Sequence, residues 1–286
     1  MAKTAAGSVR RPKLGQHFLA DRSAAGRIAE ALGEIGDSTV VEIGPGRGVL
    51  TDLLVGRARQ VIAIELDRVL GAQLRMKYAH RRGIEILEGD VLAIDLESLL
   101  RRPRVAGDGH RPDPGPAQVI GNLPYYITSP VLQHLFRFHH LFSKLVIMVQ
   151  REVADRIAAK PGRSEYGLLS AMVQFYARIE KLFTLPPGAF SPPPKVHSTV
   201  LRLTIDPQEE ALGVRAEDFL EFLKLSFGQK RKTLINNLKP HYAEVDIRAA
   251  LQKTGVKPDT RAEALSLAKS AAVFKALDGS GHRLIG

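Results

Sequence analysis

Glycines and carboxylates recur at the ends of successive short apolar runs, at a spacing that suits a nucleoside-bearing ligand. Val41-Glu42-Ile43-Gly44-Pro45-Gly46-Arg47-Gly48 reads as a strand, a glycine-rich turn and the start of a helix. Glycines there let the backbone approach a ligand closely and leave helix N-terminal N–H groups free to bind it. Glu65 follows Gly44 by 21 residues, at the end of the next apolar run. A carboxylate at that point can accept both hydroxyls of a ribose. Asp90, in Glu88-Gly89-Asp90-Val91, ends a third run and can accept a hydrogen bond from an exocyclic adenine amine. A dinucleotide fingerprint needs G-x-G-x-x-G, whereas here the third glycine comes one position early. Gly44, Gly46, Glu65, Asp90 and Val91 therefore suit S-adenosyl-L-methionine better than NAD.

A second group, Gly121-Asn122-Leu123-Pro124-Tyr125-Tyr126, addresses a different atom. An adenine N6 amine is a poor nucleophile because its lone pair is delocalised into the ring. The Asn122 carbonyl and a backbone carbonyl can accept its two N–H bonds and localise that lone pair toward a methyl donor. Pro124 stiffens the turn, and Tyr125 offers a face on which a base stacks. Asn122, Leu123, Pro124 and Tyr125 are the candidate catalytic residues. No general base is required, since alignment and electrostatics carry most of such a reaction.

These groups need strand ends held side by side. Thr39–Ile43, Gln60–Ile64, Ile84–Leu87, Val119-Ile120 and Lys144–Val149 read as strands. Helical patterns cover about 48–58, 67–79 and 152–159, and Asp21 caps an earlier helix through Ile28, Ala29 and Leu32. The alternation predicts an α/β chain of βαβ units on a parallel sheet. Met172–Leu185 and Thr199–Ile205 read as closing antiparallel strands, and Arg101–Gln118, rich in Pro, Gly and charge, as a surface insertion. Beyond Ile205 only helical patterns follow, over 216–227, 230–238, 246–254 and 261–277, the last opened by a Thr260-Arg-Ala-Glu263 capping box. The expected division is residues 1–205 and an all-helical 206–286.

Composition narrows the function classes. The chain has 286 residues and a formal charge of +11, with six Lys/Arg against two Asp/Glu in residues 1–30. Such an excess favours phosphate-rich partners such as nucleic acid. Zero cysteines exclude disulfides, Cys-ligated metals and thiol nucleophiles. The nine histidines show no metal-ligand spacing, so no metal is expected. Nor does any apolar run approach the roughly 20 residues needed to span a bilayer. The expectation is a soluble, cytoplasmic protein.

The ordered motifs resemble the kasugamycin-susceptibility type of ribosomal RNA adenine N6,N6-dimethyltransferases over roughly Lys13 to Leu277. They are Leu14-Gly15-Gln16-His17-Phe18-Leu19, the EIGPGRGVLT loop, Ile64-Glu65-Leu66-Asp67, Glu88-Gly89-Asp90 and Asn122-Leu123-Pro124-Tyr125-Tyr126. Val149-Gln150-Arg151-Glu152-Val153-Ala154, Phe190-Ser191-Pro192-Pro193-Pro194-Lys195-Val196 and Phe227-Gly228-Gln229-Lys230-Arg231-Lys232-Thr233-Leu234 complete the set. The resemblance implies a Rossmann-like methyltransferase domain with a small helical C-terminal domain. It implies cofactor contacts at His17, Leu19, Gly44, Glu65, Asp90 and Asn122, although many relatives carry Asn where His17 stands. It further implies a monomer that dimethylates two adjacent adenosines in a hairpin loop near the 3′ end of small-subunit rRNA, within a precursor of the small subunit. Two rivals are a large-subunit rRNA methylase of the macrolide-resistance type and a non-enzymatic RNA-binding assembly factor.

Phe190 is expected to close the other face of the target base, opposite Tyr125. Arg10, Arg11 and Lys13 in the basic arm, with Lys195, Lys230, Arg231 and Lys232, are the expected phosphate contacts. Lys230-Arg231-Lys232 reads as a helix start, and three adjacent cations cannot share one helical face.

Overall fold

The computed structural model describes residues 17–101, 115–124 and 127–279. In chain order the elements begin with β1 (Phe18–Leu19), α1 (Arg22–Glu30), β2 (Thr39–Ile43), α2 (Thr51–Leu54), β3 (Gln60–Glu65) and α3 (Arg68–Lys77). They continue with β4 (Ile84–Glu88), α4 (Leu96–Leu100), β5 (Ala117–Asn122), α5 (Thr128–Arg137), β6 (Phe142–Gln150), α6 (Arg151–Ile157) and α7 (Leu168–Tyr176). The rest are β7 (Ala177–Leu185), β8 (Phe190–Ser191), β9 (Ser198–Ile205), α8 (Glu209–Leu212), α9 (Ala216–Ser226), α10 (Leu234–Leu238), α11 (Glu244–Thr254) and α12 (Leu267–Asp278).

Seven strands form one sheet in the order β4-β3-β2-β5-β6-β9-β7. The first five are mutually parallel, and β9 runs antiparallel to both β6 and β7. The chain leaves β2 toward β3 and β4, then returns to β5 on the other side of β2. That reversal opens a crevice at the carboxyl ends of β2 and β5, where open α/β sheets bind ligands. Gly121 lets these two strands close up there: a Cβ on it would stand 2.7 Å from the Ile43 carbonyl oxygen.

Alternate side chains of each strand point to opposite faces, and two apolar clusters result. Val40, Val61, Ile120, Val146 and Met148 pack with α1, α2 and Leu19 and Phe190 of the β1–β8 ribbon. Val41, Ile62, Val119, Leu145 and Ile147 pack on the other face with α5 and α7. This second cluster runs on without a break into Phe219, Phe222, Leu234, Leu238, Ile247, Leu251 and Phe274 of the C-terminal helices. The Phe175 and Phe219 rings, 5.4 Å apart, join α7 to α9.

Five expected assignments are corrected. The helix expected over 48–58 is only Thr51–Leu54, because Gly48 closes a turn on the Pro45 carbonyl. Met172–Tyr176 ends α7, and the strand begins at Ala177. A helix buried nearly all round shows the same unbroken apolar run as a buried strand. Thr233 caps α10 by accepting from Asn236 N, so Lys230-Arg231-Lys232 lies in the turn before that helix. The last helix starts at its Ser266 cap, after a single tight turn over Ala262–Ala264, so Thr260 opens no helix. Its carbonyl instead accepts from Leu234 N at 2.8 Å. Ala117 and Gln118 belong to β5 rather than to the insertion, of which 102–114 lie outside the described residues. No helix among the described residues is long and apolar enough to cross a membrane.

Candidate active site

The crevice holds a pocket lined by His17, Phe18, Leu19, Glu42, Gly44, Gly46, Glu65, Asp90, Val91, Asn122, Leu123 and Pro124. The glycine turn after β2 forms its floor. Gly46 has φ +58°, and a Cβ on it would lie 2.8 Å from the Phe18 ring. A left-handed backbone and a close neighbour thus both require glycine there. The N-terminal segment reaches the pocket through the β1–β8 ribbon, in which Leu19 pairs with Phe190. His17 Nδ1 lies 2.8 Å from the Pro192 carbonyl, beyond the end of that ribbon.

Glu65 is 3% exposed. Its Oε2 accepts from Gly46 N and its Oε1 from Asp67 N, both at 2.9 Å. Burial raises its pKa above the ordinary value, and these backbone donors oppose the rise. Each carboxylate oxygen has two acceptor sites, so both retain capacity for a ligand donor. The same carboxylate therefore holds the glycine turn in place and faces the pocket. Asp90 is exposed at the pocket wall, and one of its oxygens accepts from Leu92 N at 2.9 Å. That bond starts the short turn that buries Val91.

Asn122 stands at the end of β5, beside the glycine turn. Its Nδ2 donates to the His17 carbonyl at 3.0 Å, which leaves the side-chain oxygen as the acceptor end of the amide. The Pro124 carbonyl is taken up by Ile127 N at 3.1 Å and Thr128 Oγ1 at 3.4 Å, at the start of α5. Neither bond engages the Leu123 carbonyl. Leu123 N is anchored to the Met148 carbonyl at 3.1 Å, so β6 fixes the turn from behind. Asn122 and Leu123 thus offer two carbonyl acceptors on one short rigid turn.

Tyr125 and the arm residues Arg10, Arg11 and Lys13 lie outside the described residues. Phe190, expected to stack on the target base, is not among the residues that line the pocket. It is 3% exposed and packs in the cluster around α1. Pairing with Leu19 turns it into the core. Lys195 is exposed on the loop before β9. Lys230, Arg231 and Lys232 line a separate shallow concavity with Gln229. The Asn237 side chain holds that turn, accepting from Gln229 N at 3.1 Å and donating to the Ser226 carbonyl at 2.8 Å. The Lys230 ammonium donates to the Ser164 carbonyl, whereas Arg231 and Lys232 extend into solvent.

Sequence reasoning passed over Glu42 and Phe18. Glu42, 1% exposed, accepts from Thr51 Oγ1 at 2.6 Å. The available signal was an acid inside the apolar strand Thr39-Val-Val-Glu-Ile43, directly before the glycine turn. Phe18 gave no such signal, because its contact with Gly46 depends on a pairing 173 residues distant in the chain. Among the described residues no group of three or more His, Asp or Glu side chains gathers to hold a metal.

The sequence model for "ribosomal RNA adenine dimethylase" matches residues 7–279. The chain belongs to that family. This rRNA adenine dimethylase is 56% identical over 269 residues to the ribosomal RNA small subunit methyltransferase A of Koribacter versatilis, covering 94% of each chain. It is 51% identical to the protein of that name from Acidobacterium capsulatum, over 94% of this chain and 91% of the other. Among solved structures, a dimethyladenosine transferase from Plasmodium falciparum shares the fold, with a TM-score of 0.73 at 23% identity over 94% of this chain and 100% of that one. The 23S rRNA methyltransferase ErmE has a TM-score of 0.67 at 28% identity, over 91% of this chain and 99% of the other. The dimethylase is therefore a methyltransferase with a Rossmann-like sheet and a helical C-terminal region.

Proposed function

We propose that this dimethylase transfers methyl groups from S-adenosyl-L-methionine to N6 of two adjacent adenosines in a hairpin loop near the 3′ end of small-subunit rRNA. The observation that carries the reading is the convergence of the glycine turn, Glu65, Asp90 and Asn122 on one pocket. The residues fit the cofactor. A Cβ at Gly46 would overlap the Phe18 ring that covers the glycine turn, and the buried Glu65 carboxylate keeps acceptor capacity on the pocket side. Glu65 would take the ribose hydroxyls, Asp90 the adenine amine, and His17 and Leu19 would cover the methionine end. When bound, the cofactor supplies an electrophilic methyl group on a sulfonium.

The chain's own residues do the rest. The Asn122 side-chain oxygen and the Leu123 carbonyl accept the two N–H bonds of the target amine and turn its lone pair toward the pocket. Their fixed positions lower the reorganisation that alignment requires. The product ammonium gives its proton to water, and the same acceptors serve the second round with one N–H remaining. A loop adenine is cheaper to extrude than a paired one. The helices beyond Ile205 serve as the RNA-binding part, with Arg231 and Lys232 on phosphates. The enzyme acts as a monomer, in the cytoplasm, on a precursor of the small subunit.

Identity to relatives named for the small subunit, 56% against 28% for ErmE, favours this target over the large subunit. The test is incubation with methyl-labelled S-adenosyl-L-methionine and either unmethylated small subunits or large subunits. Nuclease mapping should then place dimethyladenosine at two adjacent positions near the small-subunit 3′ end. Label confined to large-subunit rRNA would transfer the assignment to the other class. Absence of label from both would refute the substrate.

A further inference from the structure

We propose that Glu42 is a proton-linked cofactor residue, protonated in the ligand-free pocket and ionised when the cationic cofactor enters. The inference rests on the S-adenosyl-L-methionine reading above and adds a residue and a proton to it. Glu42 sits one residue before the end of β2, 1% exposed, and lines the same pocket as Glu65 and Asn122. The Thr51 hydroxyl donates to its carboxylate at 2.6 Å, with the Thr51 backbone N–H beside it, and no ion pair among the described residues neutralises it. Its surroundings are acidic. Glu65 faces it from β3 and Asp52 from α2, and both raise the cost of a charge on Glu42.

The nearby positive charge is already committed. Lys77 binds Asp52 at 2.7 Å, and the hydroxyl of Tyr78, just after α3, donates to the same carboxylate at 2.7 Å. Arg47 lies over the Phe18 ring, and His17 and Asp90 stand elsewhere in the pocket lining. Burial is the main cause, with Glu65 and Asp52 adding to it, that pushes the Glu42 pKa up to about 7. Burial raises Glu65 as well, with the backbone N–H groups of Asp67 and Gly46 opposing the rise.

The methyl donor brings an ammonium and a sulfonium. A cation entering a dry pocket beside a lone carboxyl group favours the ionised form. The Glu42 O–H bond breaks, its electron pair stays on the carboxylate, and the proton passes to the buffer. Glu42 thereby becomes a counter-ion to the bound cation. With a starting pKa near 7, the release is about half a proton per cofactor at pH 7, about 0.9 at pH 6 and close to none at pH 9.

Calorimetric titration of the full-length protein with S-adenosyl-L-methionine, in phosphate and in Tris, measures this release from the difference in apparent enthalpy. The demethylated thioether product keeps the ammonium and lacks the sulfonium. Release with both ligands assigns the ammonium as the partner of Glu42; release with the methyl donor alone assigns the sulfonium. Both outcomes support the proposal. Glu42→Gln should bind without releasing the proton. Thr51→Val, nearly isosteric at a fully buried position, removes the hydroxyl hydrogen bond. It should move the pH of half-maximal release upward, and it carries the test if the Gln variant does not fold. Equal apparent enthalpies in both buffers at pH 6 and 7 with normal binding would overturn the proposal, as would release undiminished in Glu42→Gln. No binding in any buffer would instead overturn the cofactor reading itself.

Discussion

Replacing Glu65 with Gln tests whether one carboxylate serves both the glycine turn and the ligand. Both oxygens of Glu65 accept backbone N–H groups, from Gly46 and from Asp67 at 2.9 Å. A glutamine has one acceptor oxygen and one donor NH2, so one backbone N–H is left facing another donor. Losing a hydrogen bond to a charged acceptor costs about 1.5–3 kcal/mol. Part returns because burial of the charge, which raises the Glu65 pKa, no longer opposes folding. The net expectation is about 1–2 kcal/mol of lost stability, read as a lower urea midpoint at unchanged slope. The cofactor loses more, because the remaining oxygen is uncharged and serves at most one ribose hydroxyl. That amounts to roughly a tenfold to hundredfold weaker Kd in a calorimetric titration. Glu65→Ala should weaken binding further. A Gln variant with wild-type midpoint and wild-type Kd would refute the dual role. A lowered midpoint with unchanged Kd would reduce Glu65 to a brace for the turn.

Gly46→Ala should lose about 1–2 kcal/mol for the left-handed φ alone and displace Phe18, whose ring stands 2.8 Å from the new Cβ. In thermal melts, adding Phe18→Ala should recover the clash but not the backbone strain. Glu42 has a folded pKa raised to about 7 from 4.5, so its ionisation opposes folding. The stability it allows below pH 4.5 is lost as pH rises to 7, by about 3 kcal/mol. Urea midpoints of Glu42→Gln and wild type should therefore diverge in favour of Gln between pH 5 and pH 8. Asn122→Ala should keep the fold and most cofactor affinity yet lose most methyl transfer; parallel falls in melting temperature and activity would mark a structural residue. Replacing Arg231 and Lys232 with Ala should flatten the log–log salt dependence of RNA affinity by about 1.4–1.8. Lys230→Ala should flatten it less, because its ammonium is held by the Ser164 carbonyl.

The parallel strands and the polar residues at their ends were legible in the sequence. A short buried run can stop at a glycine or an acid only where the chain turns, and Gly44, Glu65, Asp90 and Asn122 each mark such a stop. Their spacing along the chain follows from local βαβ geometry, which repeats every few tens of residues. Local capping was legible where one side chain decided it, as at Asp21. It failed at Thr260, whose carbonyl is drawn instead to Leu234 N.

Tertiary structure decided the rest, because the deciding partners are far apart in the chain. The two-residue pairing of Phe18-Leu19 with Phe190-Ser191 lays the N-terminal segment over the glycine turn and buries Phe190. No periodicity in two residues announces such a pairing. The helical character of Met172–Tyr176 follows from burial between the sheet and the C-terminal helices, which erases the amphipathic pattern. The ionisation of Glu42 depends on Glu65 and Asp52 from neighbouring elements and on the exclusion of water. Sequence lists the charges, and only the fold sets the distances and the dielectric between them.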